Sequence, residues 1–204
     1  HALEFVQADV IARIERSRGR ETLLLSGADE NALKNVQAAE AAGRGVQEFV
    51  DAYAEFFAEL ARKLGVEFDV FQKGSDRARH YPSSQELWKR CAAAGDIYKK
   101  AYRGLYCVGC EAFYEPEELT PEGECFEHPG RKLEIVEEEN YFFRLSRYQD
   151  RIRELVTSGR LAIIPETRKS EVLSFLGRPL EDISISRTNE RARNWGVPVP
   201  GDDT

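Results

Sequence analysis

The chain has 204 residues, 42% hydrophobic and 32% charged, with no low-complexity run, which excludes a disordered or fibrous protein and suits a folded one. With 29 Lys and Arg against 36 Asp and Glu the net charge is −7, so the surface as a whole is not devoted to nucleic acid, although one local basic patch is compatible with that total. No apolar run reaches the roughly 18 residues of a spanning helix, and no charged-then-apolar leader opens the chain, so the reading is cytosolic, with no membrane partner.

Residues 2–18 put Leu3, Val6, Val10 and Ile14 at helical spacing, and Gly19 ends the pattern. The run 21–26, bounded by Gly19 and Gly27, suits a buried parallel strand. A loop with Asp29 and Glu30 leads to a helix over about 31–42. A longer helix over about 47–64 carries Phe49, Val50, Tyr53, Phe56, Phe57, Leu60 and Leu64. Phe68, Val70 and Phe71 alternate with polar residues as in a second strand. Ser83 and Glu86 have the form of a capping box opening a helix that carries Leu87, Trp88, Cys91 and Ala92, with Cys91 read as a buried core thiol. This rhythm is half of a doubly wound α/β unit.

The texture changes after Gly95. Residues 98–144 are rich in Tyr, Phe, Cys and Glu and are broken by Pro116, Pro121, Gly123, Pro129 and Gly130, as expected for a small β and loop module. Helical spacing returns at Tyr148–Leu155 and Glu171–Leu176, and Ile183 and Ile185 mark a last strand ending in Arg187. The expected plan is therefore a partial Rossmann-like body at 1–97, an inserted module at 98–180, and a return to the body at 181–204.

Within the module, Cys107-Val-Gly-Cys110 is followed, after fourteen intervening residues, by Cys125-Phe-Glu-His128. A structural zinc ion takes four nitrogen and sulfur ligands in a tetrahedron, and two such two-residue steps supply two ligands each. The alternatives are disulfides, which a cytosolic setting opposes, or a redox Cys-x-x-Cys, which has no use for a matched Cys125 and His128. Eleven carboxylates lie between Glu111 and Glu139; with the tetrahedron already filled, they read as a solvated acidic face. The chain starts at His1, contains no Met and ends in Pro198-Val-Pro-Gly-Asp-Asp-Thr204, which suggests a segment of a longer protein, lacking N- and C-terminal parts of the same polypeptide.

Six strings in order resemble the methionyl-tRNA synthetases. They are Gly27-Ala-Asp-Glu-Asn-Ala-Leu-Lys34, Gly104-Leu-Tyr-Cys-Val-Gly-Cys-Glu111, Glu138-Glu-Asn-Tyr-Phe-Phe-Arg-Leu145, Glu171-Val-Leu-Ser-Phe175, Asp182-Ile-Ser-Ile-Ser-Arg187 and Trp195-Gly-Val-Pro-Val-Pro200. The resemblance implies a doubly wound, Rossmann-like nucleotide-binding domain with an inserted zinc-knuckle module. It also implies a parent enzyme that activates methionine with ATP and Mg2+ and transfers it to tRNA(Met) in protein biosynthesis. His1 then resembles the last residue of a His-Ile-Gly-His signature that grips ATP phosphates at a helix N-terminus. Asp29 corresponds to the acid that binds the methionine ammonium, and Arg187 to an active-site arginine. The family pattern departs at Ala28, Asn31 and Ala32, where Thr, His and Gly are usual. Two competing readings are a class I synthetase of Leu, Ile or Val specificity and a stand-alone zinc module that binds RNA or protein. His80 beside Arg77 and Arg79 reads as a solvated helix start, and Tyr141, Phe142 and Phe143 as packing beneath the knuckle.

Overall fold

The computed structural model describes residues 2–110, 112–131 and 133–202. Helix α1 spans Ala2–Ser17, as the spacing predicts. Its buried face differs from the expected one. Leu3, Val6, Val10 and Ile14 are exposed, Leu3 at 69%, while Phe5, Ala8 and Ala12 pack on Leu24, Ala61, Val66 and Phe68. The helix offers apolar side chains on two faces, and the neighbour selects the face on which Ala8 and Ala12 permit close approach. Asp9 is buried beside them and is neutralised by Arg13 Nε at 2.6 Å, whose Nη2 also donates to the Gly65 carbonyl.

Strand β1 is Leu25–Ala28, later than the expected 21–26. Its partner β2 begins only at Val70, and residue 22 is held by a side chain, Arg16 donating to the Thr22 carbonyl. β1 and β2 are parallel, with Leu25 opposite Val70 and Gly27 opposite Gln72. Gly27 is required there, because a Cβ would stand 2.2 Å from the Gln72 carbonyl oxygen. Two helices, α2 (Leu33–Ala41) and α3 (Val46–Lys63), form the crossover between the strands. The expected burial of β1 is only partial. It has a neighbour on one side among the described residues, and Leu23 and Leu25 are exposed.

Helix α4 spans His80–Ala93 and starts three residues before the expected cap. The N-cap, Arg79, has no side-chain cap; Asp76 closes the turn ahead of the helix, its Oδ1 accepting from the amides of Ala78 and Arg79. Ser83 lies inside the first turns and donates back to the Arg79 carbonyl, while Glu86 pairs with Arg90. Pro82 is tolerated because first-turn amides have no intrahelical acceptor. Cys91 is half-buried, so the thiol read as core lies at its margin.

The second sheet is antiparallel in the order β4-β3-β5-β6, formed by Ala112–Tyr114, Ile97–Cys107, Glu134–Phe143 and Ile183–Ser184. β3 and β5 pair over ten residues, from Ile97 opposite Phe143 to Tyr106 opposite Glu134. One face carries a run of rings in which Tyr102 and Tyr106 contact Phe113 and Tyr102 contacts Phe142. The last strand joins this sheet through Phe143 opposite Ile183. Helices α5 (Gln149–Thr157) and α6 (Glu166–Phe175) enclose a separate small core of Val156, Leu176 and Leu180. The chain ends across α2 and α4, with α7 (Asn189–Ala192) capped by the Thr188 hydroxyl.

Candidate functional site

Two sites emerge, one at each end of the β3–β5 sheet. At the first, β3 ends on Cys107, the turn to β4 carries Cys110, and the loop between β4 and β5 returns Cys125 and His128. Their four ligand atoms lie within 4.8 Å of one another. Cys110 Sγ is 3.3 Å from Cys125 Sγ and 3.2 Å from His128 Nδ1, and Nδ1 is 3.8 Å from both Cys107 Sγ and Cys125 Sγ. Metal–sulfur bonds of about 2.3 Å in a tetrahedron place sulfurs roughly 3.7 Å apart, so the group has the dimensions of a single-ion site. Gly109 makes room for the imidazole: a Cβ there would sit 2.6 Å from His128 Cδ2 and Nε2. No carboxylate of the described residues joins the group.

Two of these thiols are shifted in opposite directions by their crowding. Burial opposes charge on Cys125, yet hydrogen bonds with His128, Cys110, Cys107 and Tyr114 outweigh it and bring that thiol down to about 6. The Tyr114 hydroxyl, donating at 3.1 Å, favours the Cys110 thiolate, but burial and the neighbouring thiols push Cys110 up to about 11. Three thiolates at this spacing repel one another, and a divalent cation removes the conflict.

The second site is an open cleft of about 510 Å³ between α4, the end of β6 and residues 194–202, lined by Asn31, Trp88, Ile185, Arg187, Trp195 and Pro198 among others. Arg187 reaches it because Ile185 donates to the Tyr141 carbonyl and Ser186 Oγ accepts from the Tyr141 amide. Arg187 is half-buried as a residue and has no ion-pair partner among the described residues.

Asp29 is the first residue past β1, at the carboxyl end of the parallel pair, where α/β sheets bind ligands. It is exposed, and it does not cap α2, whose N-cap is Ala32. Asp29 is absent from the cleft lining, which begins two residues on at Asn31. His1, the third expected residue of the centre, lies outside the described residues. The structure thus gathers the four knuckle residues, and sets Arg187 in a cleft to which the Asp29 loop contributes Asn31 but not Asp29 itself.

Sequence reasoning passed over the residues that hold this loop. Glu30 is 3% exposed and accepts from the Ser75 amide at 2.8 Å, while its carbonyl accepts from Trp195 Nε1 at 2.7 Å. Asn31 Nδ2 donates to the Gly74 carbonyl, leaving Oδ1 buried without a partner. Glu30 carried a signal only as the neighbour of Asp29. The aromatic segment packs, but not beneath the knuckle: Tyr141, Phe142 and Phe143 pair with Lys99, Tyr98 and Ile97 at the other end of β3, where Phe142 is buried among rings and Tyr141 meets Trp88 edge-on. His80 stands at the start of α4, its Nε2 3.2 Å from Ser84 Oγ.

A parallel crossover from β1 to β2 with an antiparallel module attached defines an α/β domain of the kind that binds ligands outside the carboxyl ends of its strands. A family profile described as tRNA synthetases class I (M) matches residues 1–204, and the chain belongs to that family. Methionine–tRNA ligases are among its relatives. That of Nostoc sp. is 41% identical over 96% of this chain and 36% of its own length, and that of Brucella suis biovar 1 is 40% identical over 100% and 39%. A crystal structure of Mycobacterium tuberculosis methionyl-tRNA synthetase bound by methionyl-adenylate superposes with a TM-score of 0.88 at 38% identity, covering 100% of this chain and 40% of that one. The chain therefore spans about two fifths of the length of these relatives. Among the described residues, no helix is long and apolar enough to cross a membrane.

Proposed function

We propose that this chain is part of a cytosolic methionine–tRNA ligase, in which it supplies a portion of the methionine and ATP site and a zinc-stiffened insertion. The observation that carries the reading is the position of Asp29. It is an exposed carboxylate with no capping duty, at the carboxyl end of β1, in a chain about 40% identical throughout to methionine–tRNA ligases. A carboxylate there is suited to the α-ammonium of methionine by charge and by its hydrogen-bond acceptors. The methionine carboxylate then attacks the α-phosphorus of Mg2+-bound ATP, releasing pyrophosphate. The terminal ribose hydroxyl of tRNA(Met) next attacks the adenylate carbonyl, releasing AMP.

Within that scheme Asp29 orients the amino acid, and Arg187, without an ion-pair partner among the described residues, offers its guanidinium to negative charge in the cleft. His1 belongs with the phosphate-gripping signature by resemblance alone. Residues 1–97 and 181–204 form the catalytic body and 98–180 the insertion. Zinc at Cys107, Cys110, Cys125 and His128 stiffens the β3–β4 turn, and its closed ligand set leaves no position for substrate.

The test is a chimera in which residues 1–204 replace the matching stretch of the Brucella suis ligase, assayed by amino-acid-dependent pyrophosphate exchange. Methionine-dependent exchange is expected, together with a loss of roughly 100-fold or more in kcat/KM for Asp29→Ala. The 204-residue chain alone is expected to show no exchange. A folded chimera that activates leucine, isoleucine or valine instead of methionine overturns the reading.

A further inference from the structure

The two sites share one set of connections. Strands β3 and β4 bring Tyr106, just before Cys107, opposite Phe113, just before Tyr114, whose hydroxyl touches Cys110 Sγ. These two rings form a seat for the Arg191 guanidinium, which lies 4.7 Å from the Tyr106 centroid and 5.8 Å from that of Phe113. The same guanidinium makes a two-pronged pair with Glu138 of β5, Nε to Oε2 at 3.1 Å and Nη2 to Oε1. The Thr188 hydroxyl donates to Glu138 Oε2 at 3.1 Å while accepting from the Arg191 amide, so α7 is pinned to the sheet at both ends. Both charges are nearly dry, with side-chain exposures of 13% for Arg191 and 6% for Glu138. Breaking a pair so enclosed strands the remaining charge.

From Arg191 the chain takes two consecutive left-handed residues, Arg193 at φ 53° and Asn194 at φ 57°. That sharp bend turns Trp195 back toward β1, where its indole N–H meets the Glu30 carbonyl. The bend is closed by its own backbone hydrogen bonds, from the amides of Arg193, Asn194 and Trp195 to the carbonyls of Glu190, Asn189 and Ala192, and so carries the direction of α7 into Trp195. The knuckle-side anchor is Arg191, and the far anchor is the loop that begins with Asp29.

We propose that Arg191 is a positioning residue that passes the state of the Cys107–His128 metal centre, through α7 and Trp195, to the loop carrying Asp29 and Asn31. The inference rests on the zinc reading above. Metal loss frees the β3–β4 turn, the seat of Arg191 shifts, and the Trp195–Glu30 bond loosens. By linkage, ligand held at the Asp29 loop favours the ordered knuckle in return.

The chain carries its own reporter. Its two tryptophans, Trp88 and Trp195, both line the cleft, so Trp88→Phe leaves Trp195 as the only tryptophan, read by excitation beyond the tyrosine band. Zinc is titrated into metal-stripped Trp88→Phe protein, with Trp195 emission and bound metal followed together. Emission is expected to change in step with binding and to level off at about one equivalent of zinc. Arg191→Lys keeps the charge but loses the two-pronged, stacked geometry. It should bind zinc to the same stoichiometry while losing most of the emission change, and Glu138→Gln should do the same. Circular dichroism establishes that both variants are folded. Zinc binding with no change in Trp195 emission, or an undiminished change in both folded variants, overturns the coupling. Failure of the Trp88→Phe protein to bind zinc overturns the zinc reading and the coupling together.

Discussion

At the scale of single residues, the knuckle was legible from spacing because its geometry is local. Two Cys-x-x steps fix which side chains leave each turn, and the pairing of Cys107 with Ala112 is a two-residue consequence of the hairpin. The rest of that site was not legible. Gly109 matters only because His128, nineteen residues later, packs where its Cβ would be. Gly109→Ala is expected to displace the imidazole and weaken zinc binding by about 10–100-fold, as measured by competition with a chromophoric chelator. Cys107→Ser should lower bound zinc well below about one per chain, together with thermal stability. Full zinc retention in Cys107→Ser would remove that residue from the ligand set. Asp29 was visible by resemblance, whereas Glu30 and Asn31 show their value only once β2 and the 194–202 segment are packed against them.

At the scale of elements, helix and strand types were readable and their faces were not. The periodicity of α1 fits two faces, and the Ala8–Ala12 face is buried because α3 presents the equally small Ala61 to it. Strand β1 begins where a partner exists to take its hydrogen bonds, not where the apolar run begins. Helix α4 begins directly after the turn that Asp76 closes, and the Ser83 hydroxyl, already inside the helix, donates to the Arg79 carbonyl. Close packing of β1 against β2 yields a prediction that reaches the candidate site. Gly27→Ala places a methyl against the Gln72 carbonyl and should cost about 1–3 kcal/mol in urea unfolding. It should also displace Asp29 two residues on, weakening methionine binding in the chimera. Unchanged stability would mean that the strands part without cost.

At the scale of the whole molecule, the body and the module are joined by long-range polar contacts that carry a pH signature. Burial works against the Glu138 carboxylate, but Arg191, Asn140 and Thr188 hydrogen-bond it and hold it below the ordinary value. A carboxyl depressed in the folded state contributes stability that is present above its unfolded pKa of about 4.3 and is lost as pH falls through the lower folded value. Metal-free wild-type protein should therefore lose stability below about pH 4 more steeply than Glu138→Gln, compared by urea unfolding across that range. Equal slopes would exclude Glu138 as an acid-labile joint. By itself the sequence determined the family, through ordered strings spanning Gly27 to Pro200, the helix–strand rhythm, and the four ligand-type residues of the knuckle. These depend on residue identity and on spacings of a few positions. Only the tertiary structure decided which face of α1 is covered, that Ile183 and Ser184 pair with β5, that Arg187 and Asn31 share a cleft, and that Arg191 grips Glu138 fifty-three residues away. Such choices follow from packing and charge neutralisation between distant segments, for which a single sequence carries no periodic signal.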